Sequence, residues 1–227
     1  MHIQTQIDGV FFGKISPLWE NKPPSAIHKT SVKGPQKLEK HGFTGDNQAD
    51  LEAHGGEHKA VHHYPAEHYA KWIQEGEVAQ GTIPAAFGEN ISTRGFTEDI
   101  LCIGDVFQIG SATVQISQGR QPCWKLNSYT GNKKLAFLFQ KTGRTGWYYR
   151  VLDAGMVSPL DMISLIDRPN PDWSVEFVTR ARLTRQISVE NAHHLSELSE
   201  LAPSWRRAFK KMSKNDYTED TNARLKG

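Results

Sequence analysis

Ala112-Thr113-Val114-Gln115-Ile116-Ser117 alternates apolar and polar side chains without a break, and a period of two marks a strand with one buried face. Ala112, Val114 and Ile116 are expected to turn inward and the polar residues outward. On both sides of this stretch, short β-rich runs are punctuated by Gly, Pro, Asn and Asp clusters as far as Pro169. That is the pattern of an antiparallel sheet or barrel rather than of βαβ units. The other strands expected are Val10 to Ile15, Pro24 to Val32, Lys59 to His63, Asn90 to Thr93, Asp105 to Ile109, Gly146 to Leu152 and Asp161 to Ile166, with the quoted strand running on to Gln118.

Two helices are expected to interrupt the sheet and cap it. One spans Pro65 to Glu75, with Pro65 suited to a first helical turn, and the other spans Lys133 to Lys141 and ends at Gly143. After Arg168-Pro169-Asn170-Pro171 the composition changes: Ser174 to Arg182, Ser188 to Leu201 and Pro203 to Lys214 read as short helices opened by Ser or Pro. The chain therefore reads as mostly β (α+β), with a main β-barrel domain over residues 1–169 and a three-helix appendage over 170–227. The appendage carries little apolar area for its length, so it is expected to pack on the barrel or on a partner. Its last residues, from Asn215, are polar and are expected to fray.

Bulk charge narrows the partners. Against 25 Asp and Glu, 27 Lys and Arg leave a net charge of +2, too small for the sequence-independent field that attracts a nucleic acid polymer. No apolar run approaches the roughly 18 residues that a membrane span needs. Met1-His2-Ile3-Gln4-Thr5-Gln6 has neither a basic nor an apolar leader region, which points to the cytoplasm.

The 2 cysteines cannot form a disulfide framework, and their separation fits no zinc-ribbon spacing. Cys102, in Ile100-Leu101-Cys102-Ile103, reads as a small buried hydrophobe. Cys123 stands in Gln118-Gly119-Arg120-Gln121-Pro122-Cys123-Trp124-Lys125-Leu126. Cationic neighbours of this kind favour the thiolate, the form that acts as nucleophile or metal ligand.

Further polar segments with glycines fall at expected loops: Gly42-Phe43-Thr44-Gly45-Asp46-Asn47-Gln48, His54-Gly55-Gly56-Glu57-His58-Lys59-Ala60 and Phe87-Gly88-Glu89-Asn90. Glycines let backbone N–H groups approach a ligand while Arg or Lys neutralises its charge, so an anionic polar ligand suits them. Neither a Walker-type loop nor a Gly-x-Gly-x-x-Gly turn is present. Nor is there a serine nucleophile elbow. His54 and His58 lie one helical turn apart, but the double glycine between them argues for a loop, and no third zinc ligand is placed by spacing. The pair His63-Tyr64 reads as rings at a strand end whose polar atoms are met by backbone groups. A Cys123–His54 nucleophile pair for acyl or thiol transfer stays open, as does a barrel-shaped interaction module with an incidental cysteine.

Taken together, Gly45-Asp46, His54-Gly55-Gly56, Gly88-Glu89-Asn90, Ile103-Gly104-Asp105 and Arg120-Gln121-Pro122-Cys123 resemble the MOSC domain, named for the C-terminal part of molybdenum-cofactor sulfurases. Lys22-Pro23-Pro24-Ser25-Ala26-Ile27, His63-Tyr64-Pro65 with His68-Tyr69, and the helical tail resemble its bacterial YiiM subfamily. The resemblance implies a MOSC-type β-barrel that binds molybdenum cofactor and reduces N-hydroxylated small molecules such as 6-hydroxylaminopurine. It implies Cys123 as ligand to the molybdenum, and Arg120, Asn90, His54, Lys59 and Lys22 as residues that grip the pterin and its phosphate. His54 would also supply a proton. Pyridoxal phosphate binding is a further description attached to the family. No iron–sulfur, haem or nucleotide motif for an internal electron source is present, so the reading requires a separate electron-donating reductase. A non-catalytic carrier of molybdenum cofactor or sulfur would use the same residues, and no motif decides whether the chain is a homodimer. Two positions depart from the family pattern: His58, where an acidic residue is usual, and Gly119, where proline is common and glycine is expected to loosen the loop.

Overall fold

The computed structural model describes residues 3–50 and 55–226. The strands are β1 (Gln4–Gly13), β2 (Lys29–Ser31), β3 (Gln36–Glu39), β4 (Gly42–Phe43), β5 (Val61–Pro65), β6 (Ile91–Thr93), β7 (Val106–Ile109), β8 (Ala112–Gly119), β9 (Trp147–Asp153), β10 (Gly155–Val157) and β11 (Met162–Asp167). The helices are α1 (Glu67–Gln74), α2 (Trp124–Thr130), α3 (Leu135–Thr142), α4 (Val175–Thr184), α5 (Val189–Glu197), α6 (Pro203–Met212) and α7 (Asn222–Lys226).

A barrel closes in the order β1, β6, β5, β9, β8, β7, β11 and back to β1. Strand β2 extends it beside β1, while β10, β3 and β4 form a small second sheet. Every pairing of the barrel is antiparallel except β5 with β6. That exception corrects the purely antiparallel expectation: α1 lies between the two strands in sequence, and a parallel pair needs such a crossover. Strand β1 also starts earlier than its alternation suggests, because a register shift between Ile7 and Gly9 breaks the period of two. The second sheet escaped detection because its strands are only two to four residues long, too short to show a period; in β3 only Leu38 is buried.

In β8, Ala112, Val114 and Ile116 point into the core as the alternation requires, and Thr113 and Gln115 stay part-exposed. From Ser117 onward both faces are covered. The Ser117 hydroxyl donates to the His58 carbonyl at 2.6 Å, and its own carbonyl accepts from the Ala202 N–H at 2.9 Å. The outer face is thus closed by the segment before β5 and by the start of α6. Serines 174 and 188 cap α4 and α5 by accepting from Phe177 and Asn191 N–H groups, and Pro203 opens α6. Val175 and Val178 of α4 and Trp205 and Phe209 of α6 belong to one apolar cluster with Ile116 and Trp147 of the barrel.

A second cluster caps the barrel near the cysteine. Tyr64, Tyr69, Trp72, Phe87, Leu126 and Phe139 bring α1, α2 and α3 together around buried rings. Helix α2 was not expected from the sequence, and its left-handed terminal Gly131, at φ 76°, is what stops it. Pro65 ends β5 instead of opening α1, which starts at Glu67.

In the tail, residues 222–226 form the short helix α7. Arg224 reaches the Pro122 carbonyl at 2.8 Å and Gln140 at 2.9 Å, which ties α7 to the cysteine loop.

Candidate active site

Strand β8 ends at Gly119, and the chain then passes through Arg120-Gln121-Pro122 to Cys123, the N-cap of α2. Cys123 borders two cavities. The inner one, of about 90 Å³, is lined by Lys29, Asp46, Lys59, His62, Asn90 and Arg120 among others. The outer one, of about 540 Å³, includes Pro24, Gln118, Trp124, Arg182, Glu219 and Arg224 in its wall. Cys123, Lys59, Lys125 and Tyr148 line both, so the thiol lies where the compartments meet.

The inner wall is built around a buried ion pair. The Lys29 ammonium donates to both oxygens of Asp46 at 2.6 Å, with each side chain 6% exposed. Burial pulls the Lys29 pKa below the ordinary lysine value, and the facing Asp46 carboxylate opposes that shift. Asp46 also accepts from the Gly13 N–H at 2.7 Å and the Asn90 amide at 2.8 Å. The Asn90 amide donates as well to the Phe11 carbonyl, and its oxygen accepts from the His62 N–H. Asn90 therefore faces the cavity with its amide already engaged. What it does locally is hold β1, β5 and the Asp46 loop in register.

Arg120 is 7% exposed, and its Nη1 has no hydrogen-bond partner among the described residues. Its backbone N–H donates to the Gly146 carbonyl at 3.0 Å, and the Gly146 N–H donates to Glu98 at 2.7 Å. Glu98 is in turn held by His68 at 2.7 Å. A buried carboxylate two steps away thus fixes where the guanidinium enters the cavity. Lys125, on the first turn of α2, is buried beside the thiol, and no ion pair forms on its ammonium among the described residues. Lys29 and Asp46 neutralise each other, and Arg120, Lys59 and Lys125 also line the inner wall. His62 adds no charge, because burial first and Arg120 second hold its pKa well below the ordinary imidazole value. Burial pushes the Tyr148 phenol up, so it stays a protonated donor at the junction.

Of the residues expected to serve the site, Cys123, Arg120, Asn90 and Lys59 are brought together here. Burial lowers the Lys59 pKa, against the pull of Asp50. Lys22 does not line either cavity; its ammonium lies 4.3 Å from the ring centre of Trp124, which borders the outer one. His54 lies outside the described residues. His58 turns away, sitting beside Glu57 at 3.3 Å, and its carbonyl holds Ser117. His63 is a core residue bonded to Tyr149 and Thr93 hydroxyls at 3.0 and 2.8 Å, side-chain partners rather than the backbone groups expected. Glu89 braces its own loop, accepting from the Tyr69 hydroxyl and from the N–H groups of Ala85 and Phe87.

The sequence marks Lys125 only as a cationic neighbour of the thiol, and it does not single out Lys29, His62 or Tyr148, nor Arg182, Glu219 and Arg224. Of the first set, His62 adjoins a recognised motif, whereas Lys29 and Tyr148 reach the site only through pairings distant in sequence. The second comes from the appendage and had no local signal.

The model of the MOSC domain family matches residues 50–164, a span that contains β5 to β9 and the cysteine loop. The chain belongs to the MOSC domain family. Protein YiiM of Escherichia coli (strain K12) is 39% identical over 222 residues, covering 96% of this chain and 97% of that protein. The crystal structure of YiiM from Escherichia coli superposes with a TM-score of 0.81 at 32% identity, covering 98% of this chain and 99% of that one. A protein named Reductase from Gibberella moniliformis (strain M3125 / FGSC 7600) is 37% identical over 167 residues, 73% of this chain but 30% of its own length. The MOSC fold and the YiiM likeness expected from the motifs are therefore both found. Among the described residues no helix is long and apolar enough to cross a membrane.

The donor set limits what the site can hold. Among the described residues no three His, Cys, Asp or Glu side chains stand together as a metal-ligand cluster. The chain offers one thiol with three cationic side chains and an unpartnered guanidinium N–H around it. That set fits a metal that brings its other ligands with it on an anionic organic group, as molybdopterin does.

Proposed function

We propose that this MOSC protein is a molybdenum-cofactor-dependent reductase of N-hydroxylated compounds such as 6-hydroxylaminopurine. The observation that carries the reading is the junction itself: one buried thiol, Cys123, at the meeting point of two cavities, beside the buried Lys125 and an Arg120 whose Nη1 has no partner among the described residues. The likeness to a protein named Reductase supports the reaction class.

In this reading Cys123 Sγ is the ligand to molybdenum, and Arg120, Lys59 and Lys125 hold the anionic part of the cofactor. Asn90, locked by its protein contacts, keeps the wall rigid behind it, and Lys22 fixes Trp124 at the rim. The bound cofactor supplies the two electrons that cleave an N–OH bond. The overall change consumes two electrons and two protons and yields the amine and water. The chain's part is to deliver those protons and exclude bulk water. His54 is the donor proposed from its motif, and the Tyr148 hydroxyl and Lys125 Nζ are further donors that border both compartments. Electrons come from a separate reductase partner.

The test compares wild type with Cys123→Ser, both produced in a host that makes the cofactor. Molybdenum content and reduction of a hydroxylaminopurine by reduced viologen are measured side by side. Wild type should carry molybdenum and turn over, and the serine variant should do neither. Molybdenum without turnover would replace the reductase with a cofactor carrier, and wild type without molybdenum would remove the cofactor altogether.

A further inference from the structure

The outer cavity has a wall that the MOSC core does not supply. Arg182 comes from α4, and Glu219 and Arg224 come from the last residues of the chain, more than fifty positions beyond the end of the matched family region. These side chains are linked to one another. Glu219 Oε2 accepts from Arg182 Nη1 at 3.0 Å and from the Tyr217 hydroxyl at 3.0 Å, while its other oxygen accepts from Arg224 Nε at 3.2 Å. The Glu219 carbonyl accepts from Arg185 at 2.7 Å. Arg224, which also lines the cavity, donates to the carbonyl of Pro122, the residue immediately before Cys123, and to Gln140 of α3. Asn127 of α2 donates to the Leu225 carbonyl at 3.0 Å.

We infer that residues 217–226 form a strap that closes the outer cavity over Cys123 and sets the size of molecule that reaches the thiol. The strap has two anchors. One, at Glu219, binds the appendage through the buried Arg182 and the exposed Arg185; the other, at Arg224, binds the cysteine loop and the capping helices. Of the strap's described side chains only Tyr217, at its base, packs against a core cluster, so release of the stretch from Glu219 onward exposes little apolar surface. A closure of this build opens without unfolding the barrel, because charge-assisted hydrogen bonds to water replace those it loses. Arg224 has a second effect through the same contact. By holding the Pro122 carbonyl it positions the N-cap turn on which Cys123 sits, which makes it a positioning residue for the thiol.

The inference shares the Cys123 cavity with the proposed function but not its cofactor, and it can be read on metal-free protein. Alkylation of Cys123 is followed by peptide mass spectrometry, which separates it from Cys102, using iodoacetamide as the small reagent and fluorescein maleimide as the bulky one. Arg224→Ala, Glu219→Gln and a chain ending at Asp216 are compared with wild type. Each variant should accelerate the bulky reagent by roughly tenfold or more, the effect of removing a charge-assisted anchor from a two-state closure. The small reagent should change by less than about threefold on the same scale. Unchanged rates for both reagents would overturn the inference, and equal acceleration of both would overturn it as well, since that reports general loosening. If the shortened chain does not fold, the two point variants still decide the matter.

Discussion

Replacing Asp46 with Asn tests the most heavily buried charge pair of the site. The substitution keeps the shape and leaves an oxygen for the Gly13 N–H, but it strips Lys29 of its counter-charge in a place where the ammonium is 6% exposed. Breaking a buried pair from one side costs about 3–5 kcal/mol, because the remaining charge is neither hydrated nor compensated. For a chain of this length that is a fall of roughly 6–20 °C in melting temperature. Two controls make the number interpretable. Lys29→Met together with Asp46→Asn removes both charges and should recover more than half of the loss. Raising the pH should also recover stability in the single variant. Burial already lowers the Lys29 pKa in the folded protein, and loss of Asp46 lowers it further. The unfolded chain then binds the extra proton more tightly, so stability rises with pH between the folded value and the ordinary lysine value of 10.5. The assay is thermal unfolding of wild type and both variants across neutral to alkaline pH. A single-variant loss under about 1 kcal/mol, or a double variant no better than the single, would refute the claim that the pair is electrostatically isolated from water.

Two further outcomes follow from the packing. Gly119→Ala should destabilise by about 1–3 kcal/mol, because a Cβ there would lie 1.9 Å from the Thr179 hydroxyl; adding Thr179→Ala should restore much of it, and chemical denaturation of the pair measures the coupling. His63 is held down to about 3 by burial, against an ordinary value of 6.5. The folded state therefore binds fewer protons than the unfolded one, and stability falls by up to about 1.4 kcal/mol per pH unit as pH drops from 6.5 toward 3. His63→Gln should be less stable at pH 7 but lose less on acidification, which a pH series of melting temperatures checks; an unchanged slope would move the acid sensitivity elsewhere.

The parts of the fold that were legible are those with a period. Strand β8 could be read residue by residue because its alternation is unbroken from Ala112 to Ile116, and the appendage helices because Ser174, Ser188 and Pro203 mark their starts. Helix α2 was illegible for a local reason: it begins directly after the cysteine motif, without a side-chain cap. The cysteine, Arg120, Asn90 and Lys59 stood out because each lies in a glycine-bearing loop segment, and loops gather ligand groups. Lys29 did not, because nothing in its own neighbourhood shows that Asp46 will meet it. Gly119 was misjudged for a related reason. Its missing side chain suggested a loose loop, whereas in the structure the absent Cβ is the space in which Thr179 of α4 rests. The role of a glycine in a crossing is set by the element that crosses it.

The closing pair of the barrel also decides the order in which the molecule can be made. Strand β1 joins β11 through Gln4 with Ser164 and Gln6 with Met162, a contact between the two ends of the barrel segment. Pairings of such long sequence separation form late, after the loop entropy has been overcome. Around Cys123 the delay is greater still, since Arg224 must arrive before the outer cavity has its last wall. The pocket around the thiol is therefore assembled only once segments far apart in sequence, from β1 to α7, have met.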